Sequence, residues 1–173
     1  GDALEALSTT QVAALTTSQV RAIDVADIDR LETRDLVAMG TAQIVALSTD
    51  QVAALSTDQL TSFTTAQVAA LTTAQLDALT GEELSAFDAD LIAALTTAQI
   101  ASLNTTQMTT LATTDLASLS TAQIRALGSS VIAAFDSSDY AAFTTQQVAA
   151  LTTAQIRALE SDDLSTLGST QLG

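Results

Sequence analysis

Apolar residues recur along this chain with a strict period of eight. Two apolar positions define each octad: position 1 runs from Leu7 to Leu167, and position 6 runs from Val12 to Leu172. No position-1 residue is polar, and Tyr140 is the one position-6 residue with a polar group. A short fixed period is typical of an array in which one small structural unit is stacked many times. The chain is therefore expected to have a continuous apolar line as its core.

Each octad also carries the signals that begin an α-helix. Position 2 is Ser, Thr, Asp, Asn or Gly in all but three octads, and these residues are preferred at a helix N-cap. Position 5 is mostly Gln, Asp or Glu, which supplies the second half of a capping box, as in Ser48 and Gln51. Positions 1 and 6 would form a hydrophobic staple, for example between Leu47 and Val52. The pattern predicts one very short capped helix in every octad.

A long continuous helix and a β-solenoid are the alternatives. In a continuous helix, eight residues turn by about 800°, so the apolar stripe would advance by about 80° per octad and wrap around the helix. In strands, apolar and polar residues alternate. Here position 6 and the next position 1 lie three positions apart, and the residue directly before position 1 is usually Ala. Both observations favour short helices, and the β-solenoid is the stronger of the two alternatives.

A helix of about six residues is marginally stable alone, so neighbouring helices must hold it. Position-1 residues spaced by 24 concentrate the bulky side chains Met39, Phe63, Phe87 and Phe135, which favours three octads per turn. We predict an all-α solenoid of very short capped helices, one per 8-residue repeat, with three repeats per turn. It would be one domain over 1–173 with about 21 repeats, either part of a longer array or a stacking subunit.

Two details refine this picture. Position 8 is usually Ala, and this small residue would let successive turns approach closely, so a larger residue there is expected to strain the stack. Residues 24–35 are the least regular part of the array, because Arg30 replaces that Ala and further charged residues surround it. We interpret this segment as a solvated irregularity, with a local bend or a contact patch as the alternatives.

The charge of the chain limits its partners. There are 20 acidic residues and five basic ones, all arginine, giving a net charge of −15. A protein binds phosphate backbones or anionic lipid through clusters of cationic side chains. We therefore expect no nucleic-acid partner and no binding to membrane surfaces. The apolar stretches are far shorter than the roughly 18 residues that a membrane span needs, so membrane insertion is not expected.

Little in the sequence can support catalysis. His, Cys, Lys and Trp are absent, which removes the imidazole base, the thiolate nucleophile and the usual transition-metal ligands. The acidic pairs Glu82–Glu83, Asp88–Asp90 and Asp162–Asp163 could serve acid–base chemistry or weak Ca²⁺ binding, but they occupy capping positions. Tyr140 is expected to pack in the core. We therefore predict no enzyme activity and no catalytic, cofactor-binding or metal-binding residues.

The units LTTAQV, LTTAQL and LTTAQI resemble the tandem LTTxQ-type octapeptide repeats of long, acidic, predicted surface or secreted proteins of proteobacteria. The resemblance implies an extracellular or cell-surface spacer or stalk in an adhesin-like protein, with other surface proteins as partners. A structural spacer or a filament that stacks end to end is our first functional hypothesis. An acidic protein–protein interaction module is the alternative, and a surface of threonine rows at position 3, related to ice or glycans, is a more remote one.

Overall fold

The computed structural model describes residues 4, 6–159 and 167, and every regular element among them is helical. The chain forms two compact units, Gly1–Phe87 and Asp88–Gly173. The described helices are four to six residues long, and each belongs to one octad. The predicted short helices are therefore confirmed, and neither a long helix nor a β-solenoid is formed by the described residues.

The first unit contains nine α-helices and one 3-10 helix within its described part. In chain order they are α1 (Thr9–Ala13), α2 (Thr17–Arg21), the 3-10 helix (Val25–Arg30), α3 (Thr33–Ala38), α4 (Thr41–Ala46), α5 (Thr49–Ala53), α6 (Thr57–Thr61), α7 (Thr65–Ala70), α8 (Thr73–Asp77) and α9 (Gly81–Ser85).

The second unit contains nine α-helices within its described part. They are α10 (Ala89–Ala94), α11 (Thr97–Ser102), α12 (Thr105–Thr109), α13 (Thr113–Ser118), α14 (Thr121–Ala126), α15 (Ser129–Ile132), α16 (Ser137–Ala142), α17 (Thr145–Ala150) and α18 (Thr153–Ala158).

Helices three places apart along the chain are neighbours in space. In the first unit α4 contacts α7, and α5 contacts α8. The contacts of α1 with α3 and of α2 with α4 have the same spacing, because the 3-10 helix between α2 and α3 counts as one place. In the second unit the same spacing joins α10 to α13, α11 to α14, and so on to α15 and α18. Three octads therefore complete one turn of the coil in each unit, which confirms the predicted number of repeats per turn. That all 173 residues form one domain stays a prediction.

The helix starts follow the capping signals of the sequence. Ser48 is the N-cap of α5 with an extended backbone (φ −71°, ψ 162°), and its hydroxyl accepts the backbone N–H of Gln51 at 3.1 Å. The Gln51 side chain in turn accepts the backbone N–H of Ser48 at 2.8 Å. Leu47, just before the cap, is also extended (φ −58°, ψ 137°). Two extended residues thus form the corner between α4 and α5, and the capping box holds this corner in place.

The core follows the two apolar positions. Position-6 residues are completely buried through most of both units, as Val52 and Leu116 illustrate at 0% exposure. Position-1 residues at the corners are nearly as buried, with Leu55 at 3% and Phe87 at 2%. Position 8 is mostly half-buried, and Ala46 is fully buried. Each unit therefore buries an apolar line along its coil, as the period predicted.

Residues 24–35 contain the one departure from α-helix among the described elements. Val25–Arg30 is a 3-10 helix, capped by the Asp24 carboxylate, which accepts the backbone N–H of Ala26 at 3.0 Å. Arg30 is exposed and its Nε lies 3.3 Å from the Asp27 carboxylate. The charged side chain at position 8 thus stays at the surface, in agreement with the interpretation of a solvated irregularity.

Candidate functional site

The glutamine at octad position 5 joins successive turns of the coil. Gln51 accepts the N-cap N–H of its own helix through Oε1. Its Nε2 donates to two backbone carbonyls of the preceding turn, at 3.0 Å to Val20 and 2.7 Å to Ile23. The side chain is 1% exposed, and it uses both of its N–H donors as well as its carbonyl. One amide therefore caps its own helix and binds the end of an earlier one.

The same arrangement recurs in both units. A buried glutamine binds carbonyls 31 and 28 residues earlier at distances between 2.7 and 3.0 Å in seven cases, Gln43, Gln51, Gln59, Gln67, Gln75, Gln147 and Gln155. Gln123 varies slightly, since it donates to Leu95 at 2.7 Å and to Ala93 at 3.1 Å. We call this set the glutamine ladder.

The carbonyls that the ladder binds are those that a short helix leaves unsatisfied. The last carbonyls of an α-helix have no intrahelical N–H partner, and a coil of very short helices has many such groups near its core. Each buried polar group without a partner would cost about 1–3 kcal/mol. The glutamine amide supplies two donors at each corner where it occurs, so the ladder satisfies carbonyls that close stacking of such short helices would otherwise leave without a partner.

Acidic residues replace the glutamine at several octads, and Asp115 and Asp139 among them make the capping contact but have no N–H to donate to the preceding turn. Asp139 accepts the N-cap N–H of Asp136 at 3.0 Å, and it is 8% exposed. Burial raises the pKa of Asp139, the backbone hydrogen bond from Asp136 opposes this, and the nearby Asp136 charge adds to the rise. Burial likewise raises the pKa of Asp115, which accepts the N–H of Ala112 at 3.1 Å.

Two arginines also connect successive turns. Arg21 ends α2, and its Nε donates to the carbonyl of Ala46, the last residue of α4, at 3.3 Å. In the second unit, Nε of Arg125 in α14 donates to the carbonyl of Ala150 at the end of α17, at 3.1 Å. Both guanidinium groups therefore lie at the negative end of a helix of the next turn, where a cation is stabilising.

The acidic pairs named from the sequence lie at helix starts. Glu83 accepts the backbone N–H of Thr80 at 2.7 Å, and Glu82 beside it is exposed. The Asp88 carboxylate accepts the N–H of Leu91 at 2.9 Å as the N-cap of α10. Asp162–Asp163 lies outside the described residues. Within the described part of the chain, no three acidic side chains lie close enough together to hold a metal ion.

The remaining residues named from the sequence are Tyr140, which lies in the core, and the threonines at position 3, which lie mostly at the surface. Tyr140 is fully buried beside Phe135 and Phe143, with ring centroids 6.2 Å from each, and its hydroxyl donates to the carbonyl of Ile132. Packing of Tyr140 in the core is therefore confirmed. The position-3 threonines from Thr17 onwards are exposed. No described helix is long and apolar enough to span a membrane.

Sequence reasoning missed both sets of contacts between turns. The glutamine was assigned only the capping role, and Arg21 and Arg125 were counted only toward the net charge. One signal could have revealed the ladder: a capping box accepts Glu as well as Gln, yet 13 of the 14 glutamines occupy position 5, where Glu occurs once. A preference for the amide indicates that its N–H groups have acceptors.

Comparison with known proteins identifies the repeat. No curated protein matches the chain. The family model described as the ALTTAQ repeat matches residues 28–65, 108–145 and 132–169. Its name reproduces the octad from position 8 to position 5, which is the segment that carries the small residue, the corner, the cap and the ladder glutamine. Since the matches cover more than half of the sequence, the chain belongs to the ALTTAQ repeat family.

Proposed function

We propose that this chain is a non-enzymatic structural module, a spacer or stalk segment of a surface or adhesin-like protein. The observation that carries the proposal is the glutamine ladder. It repeats one set of contacts many times in both units, so turns that carry these contacts can be added without introducing a new kind of contact. A structure of this kind sets a distance by its number of repeats.

The use of the polar residues supports the same proposal. Three sets of them build the coil: the hydroxyls at position 2 cap helices, the amides at position 5 join turns, and two arginines bind carbonyls. Ser48, Gln51 and Arg21 are examples from the first unit. Polar side chains engaged with the backbone in this way have a structural role.

Insertion of one complete turn tests the spacer. Residues 97–120, which are three octads, would be duplicated in tandem, and small-angle X-ray scattering would measure the maximum dimension. We expect an increase of about 10 Å, the distance between packed helices, with helix content per residue unchanged. A control insertion of equal length made of Gly and Ser should lower the helix content per residue. An unchanged maximum dimension after duplication would contradict the spacer.

Location at the cell surface is part of the proposal and has its own test. The resemblance to repeats of predicted surface proteins supports it. Antibodies raised against the purified chain would be applied to intact and to permeabilised cells of the source organism. Labelling of intact cells is expected, whereas labelling that requires permeabilisation would place the protein inside and leave only the spacer role.

The filament version of the proposal is tested separately by assembly. End-to-end stacking of copies would give particles whose length grows with concentration. Sedimentation velocity over a concentration series, with electron microscopy of the same samples, would detect it. A single species at all concentrations would reject self-stacking and leave the spacer intact.

An acidic interaction module is the second candidate. Asp50, Asp58 and Glu82 are exposed in the first turns of their helices, and the net charge is −15. Such a surface would recruit a basic protein by charge complementarity, with binding that weakens as salt screens the charges. Pull-down from a lysate of the source organism at low and at high salt tests this, and a failure to enrich any basic protein at low salt would reject it.

A further inference from the structure

Two surface grooves occur at matching places, one in each unit. The groove of the first unit has a volume of about 540 Å³ and is lined by Thr17, Arg21, Thr41, Val45 and Ala46, among others. The groove of the second unit has a volume of about 490 Å³, and its lining includes Thr121, Arg125, Gln146, Ala149 and Ala150. We call them the arginine grooves. Both lie along two stacked helices, α2 with α4 and α14 with α17.

Each groove contains one arginine whose Nε is hydrogen-bonded to a backbone carbonyl of the next turn. The bond from Nε of Arg21 to the Ala46 carbonyl, and the matching bond from Arg125 to Ala150, use one of the five N–H donors of each guanidinium. In the described part of the chain neither arginine forms an ion pair. Arg34, by contrast, lies outside the grooves with its Nε 2.8 Å from a Glu32 carboxylate oxygen.

The remaining donors suit a carboxylate. With Nε engaged, the two terminal NH₂ groups present a planar fork that can bind both oxygens of one carboxylate. Threonine hydroxyls at the groove wall, from Thr17 and Thr41 in one unit and Thr121 in the other, can donate further hydrogen bonds. The hydrogen-bonded guanidinium lowers the entropy that binding would otherwise cost.

The charge and the apolar surface of the grooves further restrict the class of ligand that they could bind. Each groove holds a single cation on a chain of net charge −15, so a multiply charged phosphate ester is repelled more strongly than a monoanion. Val45 in one groove and Ala149 in the other supply apolar surface for the body of the ligand. Both grooves are open to solvent, so a small ligand would lie along the surface with one side against these residues.

We propose that the arginine grooves at Arg21 and Arg125 are two equivalent binding sites for a small organic monocarboxylate. The carboxylate could belong to an acidic sugar or to the C-terminus of a peptide. Both sources present the same planar anion next to a small body. This inference does not depend on the proposed spacer role.

Arginine side-chain NMR tests the proposal on the unaltered protein. The chain has five arginines and no lysine, so five Nε–Hε signals are expected, and each can be assigned with one Arg→Lys variant. Acetate, glucuronate and N-acetylalanine would be titrated separately at constant ionic strength. We expect saturable shifts of the Arg21 and Arg125 signals and no saturable shift of Arg34. Equal shifts at all three, or no saturation at Arg21 and Arg125, would overturn the proposal.

The probes also distinguish the source of the carboxylate. Tighter binding of glucuronate than of acetate would assign the grooves to acidic sugars, and tighter binding of N-acetylalanine would assign them to peptide C-termini. Equal binding of all three would show recognition of the carboxylate alone. Methyl phosphate serves as the anion control, and if it bound more tightly than every carboxylate, the assigned ligand class would be wrong.

A charge-conserving variant separates the arginine fork from simple charge. Arg21→Lys keeps the cation but removes the two-pronged donor, so binding at this groove is expected to weaken about tenfold while the Arg125 signal titrates as before. Arg34→Lys is the matched control and should leave both grooves unchanged. Unaltered affinity in the first groove of the Arg21→Lys protein would show that the guanidinium fork does not recognise the ligand.

Discussion

The side-chain amide of Gln51 donates a hydrogen bond of 2.7 Å to the backbone carbonyl of Ile23, 28 residues earlier in the chain. The same amide carries the capping box of α5, because its oxygen accepts the N–H of Ser48. A local signal for starting a helix and a long-range bond between turns thus reside in one side chain. A substitution of Gln51 can therefore affect the capping bond and the bond between turns. A residue that keeps the acceptor oxygen but lacks the N–H donor removes only the bond between turns.

Gln51→Glu should be strongly destabilising at neutral pH. The carboxylate keeps the acceptor for Ser48, but it has no N–H to donate and it places negative charge beside the carbonyls of Val20 and Ile23. Loss of two bonds in a buried site predicts a decrease of about 2–4 kcal/mol in the free energy of unfolding. Urea denaturation followed by circular dichroism measures it.

Gln19→Glu is the matched control for that variant. Gln19 accepts the N-cap N–H of Thr16 at 2.8 Å, so it makes the same capping contact, but its side chain is exposed. We expect a change of less than about 0.5 kcal/mol in the free energy of unfolding. A loss as large as that of Gln51→Glu would show that the ladder bonds contribute nothing beyond the cap.

Glu83→Gln should stabilise the first unit. Glu83 already accepts the N–H of Thr80, and by the spacing of the ladder its side chain faces the carbonyls of Val52 and Leu55. An amide in its place can donate to these carbonyls as Gln75 does to its own pair. The expected gain is about 1 kcal/mol in the free energy of unfolding, measured by urea denaturation at pH 7.

Glu82→Gln is the control for the charge removed by that substitution. Glu82 precedes Glu83 in the same helix and is exposed, so its amide variant gains no buried carbonyl. A rise in stability confined to Glu83→Gln would identify the new donor as the cause. Equal effects of the two variants would assign the gain to reduced negative charge instead.

The stability of the second unit should depend on the ionisation of Asp139. Burial raises its pKa above the unfolded value of about 3.9 for Asp. The stabilising contribution of this carboxyl is therefore fully present below the unfolded pKa and is lost as pH rises through the folded pKa. Asp139→Asn removes the charge and keeps an acceptor for the Asp136 N–H. It should raise the thermal midpoint at pH 7.

Thermal melts of the Asp139→Asn variant and the parent chain from pH 3 to pH 7 provide the check. The two midpoints are expected to converge at the acidic end, where Asp139 is protonated in both the folded and the unfolded state. A difference that stays the same across the range would show that the ionisation of Asp139 does not control stability.

A large residue at octad position 8 should strain the packing between turns where that position is buried. Ala46 is 3% exposed, so Ala46→Leu is expected to lower the free energy of unfolding by about 1–3 kcal/mol through overpacking. Ala14 has the same octad position but is exposed, and Ala14→Leu should change stability little. Chemical denaturation of both variants measures the difference, and equal effects would mean that close packing at Ala46 does not limit the residue size.

The helices themselves could be predicted from the chain because their determinants are local. The N-cap at Ser48, its partner three residues later and the apolar residues around them lie within one octad, and the structure forms a helix there as expected. The three-octad turn could also be predicted, because bulky residues such as Phe63 and Phe87 recur in one column of the period. Local signals and a global period that agree in this way specify a fold with little ambiguity.

Contacts between turns show where this reasoning reaches its limit. Val25–Arg30 was expected to be irregular, but the sequence did not indicate that it forms a 3-10 helix in contact with α5. Nothing in the octad of Arg21 indicates its partner, because its Nε binds a carbonyl 25 residues later. Neither contact leaves a trace in the octad that contains it, because the partner belongs to another turn.

The amino-acid sequence by itself therefore determines the repeat, the caps and the apolar line, since each depends on residues fewer than nine positions apart. Tertiary structure determines which side chains bind across turns: Gln51 finds Ile23 only after three octads have closed a turn. It also buries Asp139, with the resulting rise in its pKa, and forms the arginine grooves. The physical reason is that an amide, a carboxylate and a guanidinium can each form hydrogen bonds with many different groups. The stacking of turns determines which of these groups lies within reach of each side chain.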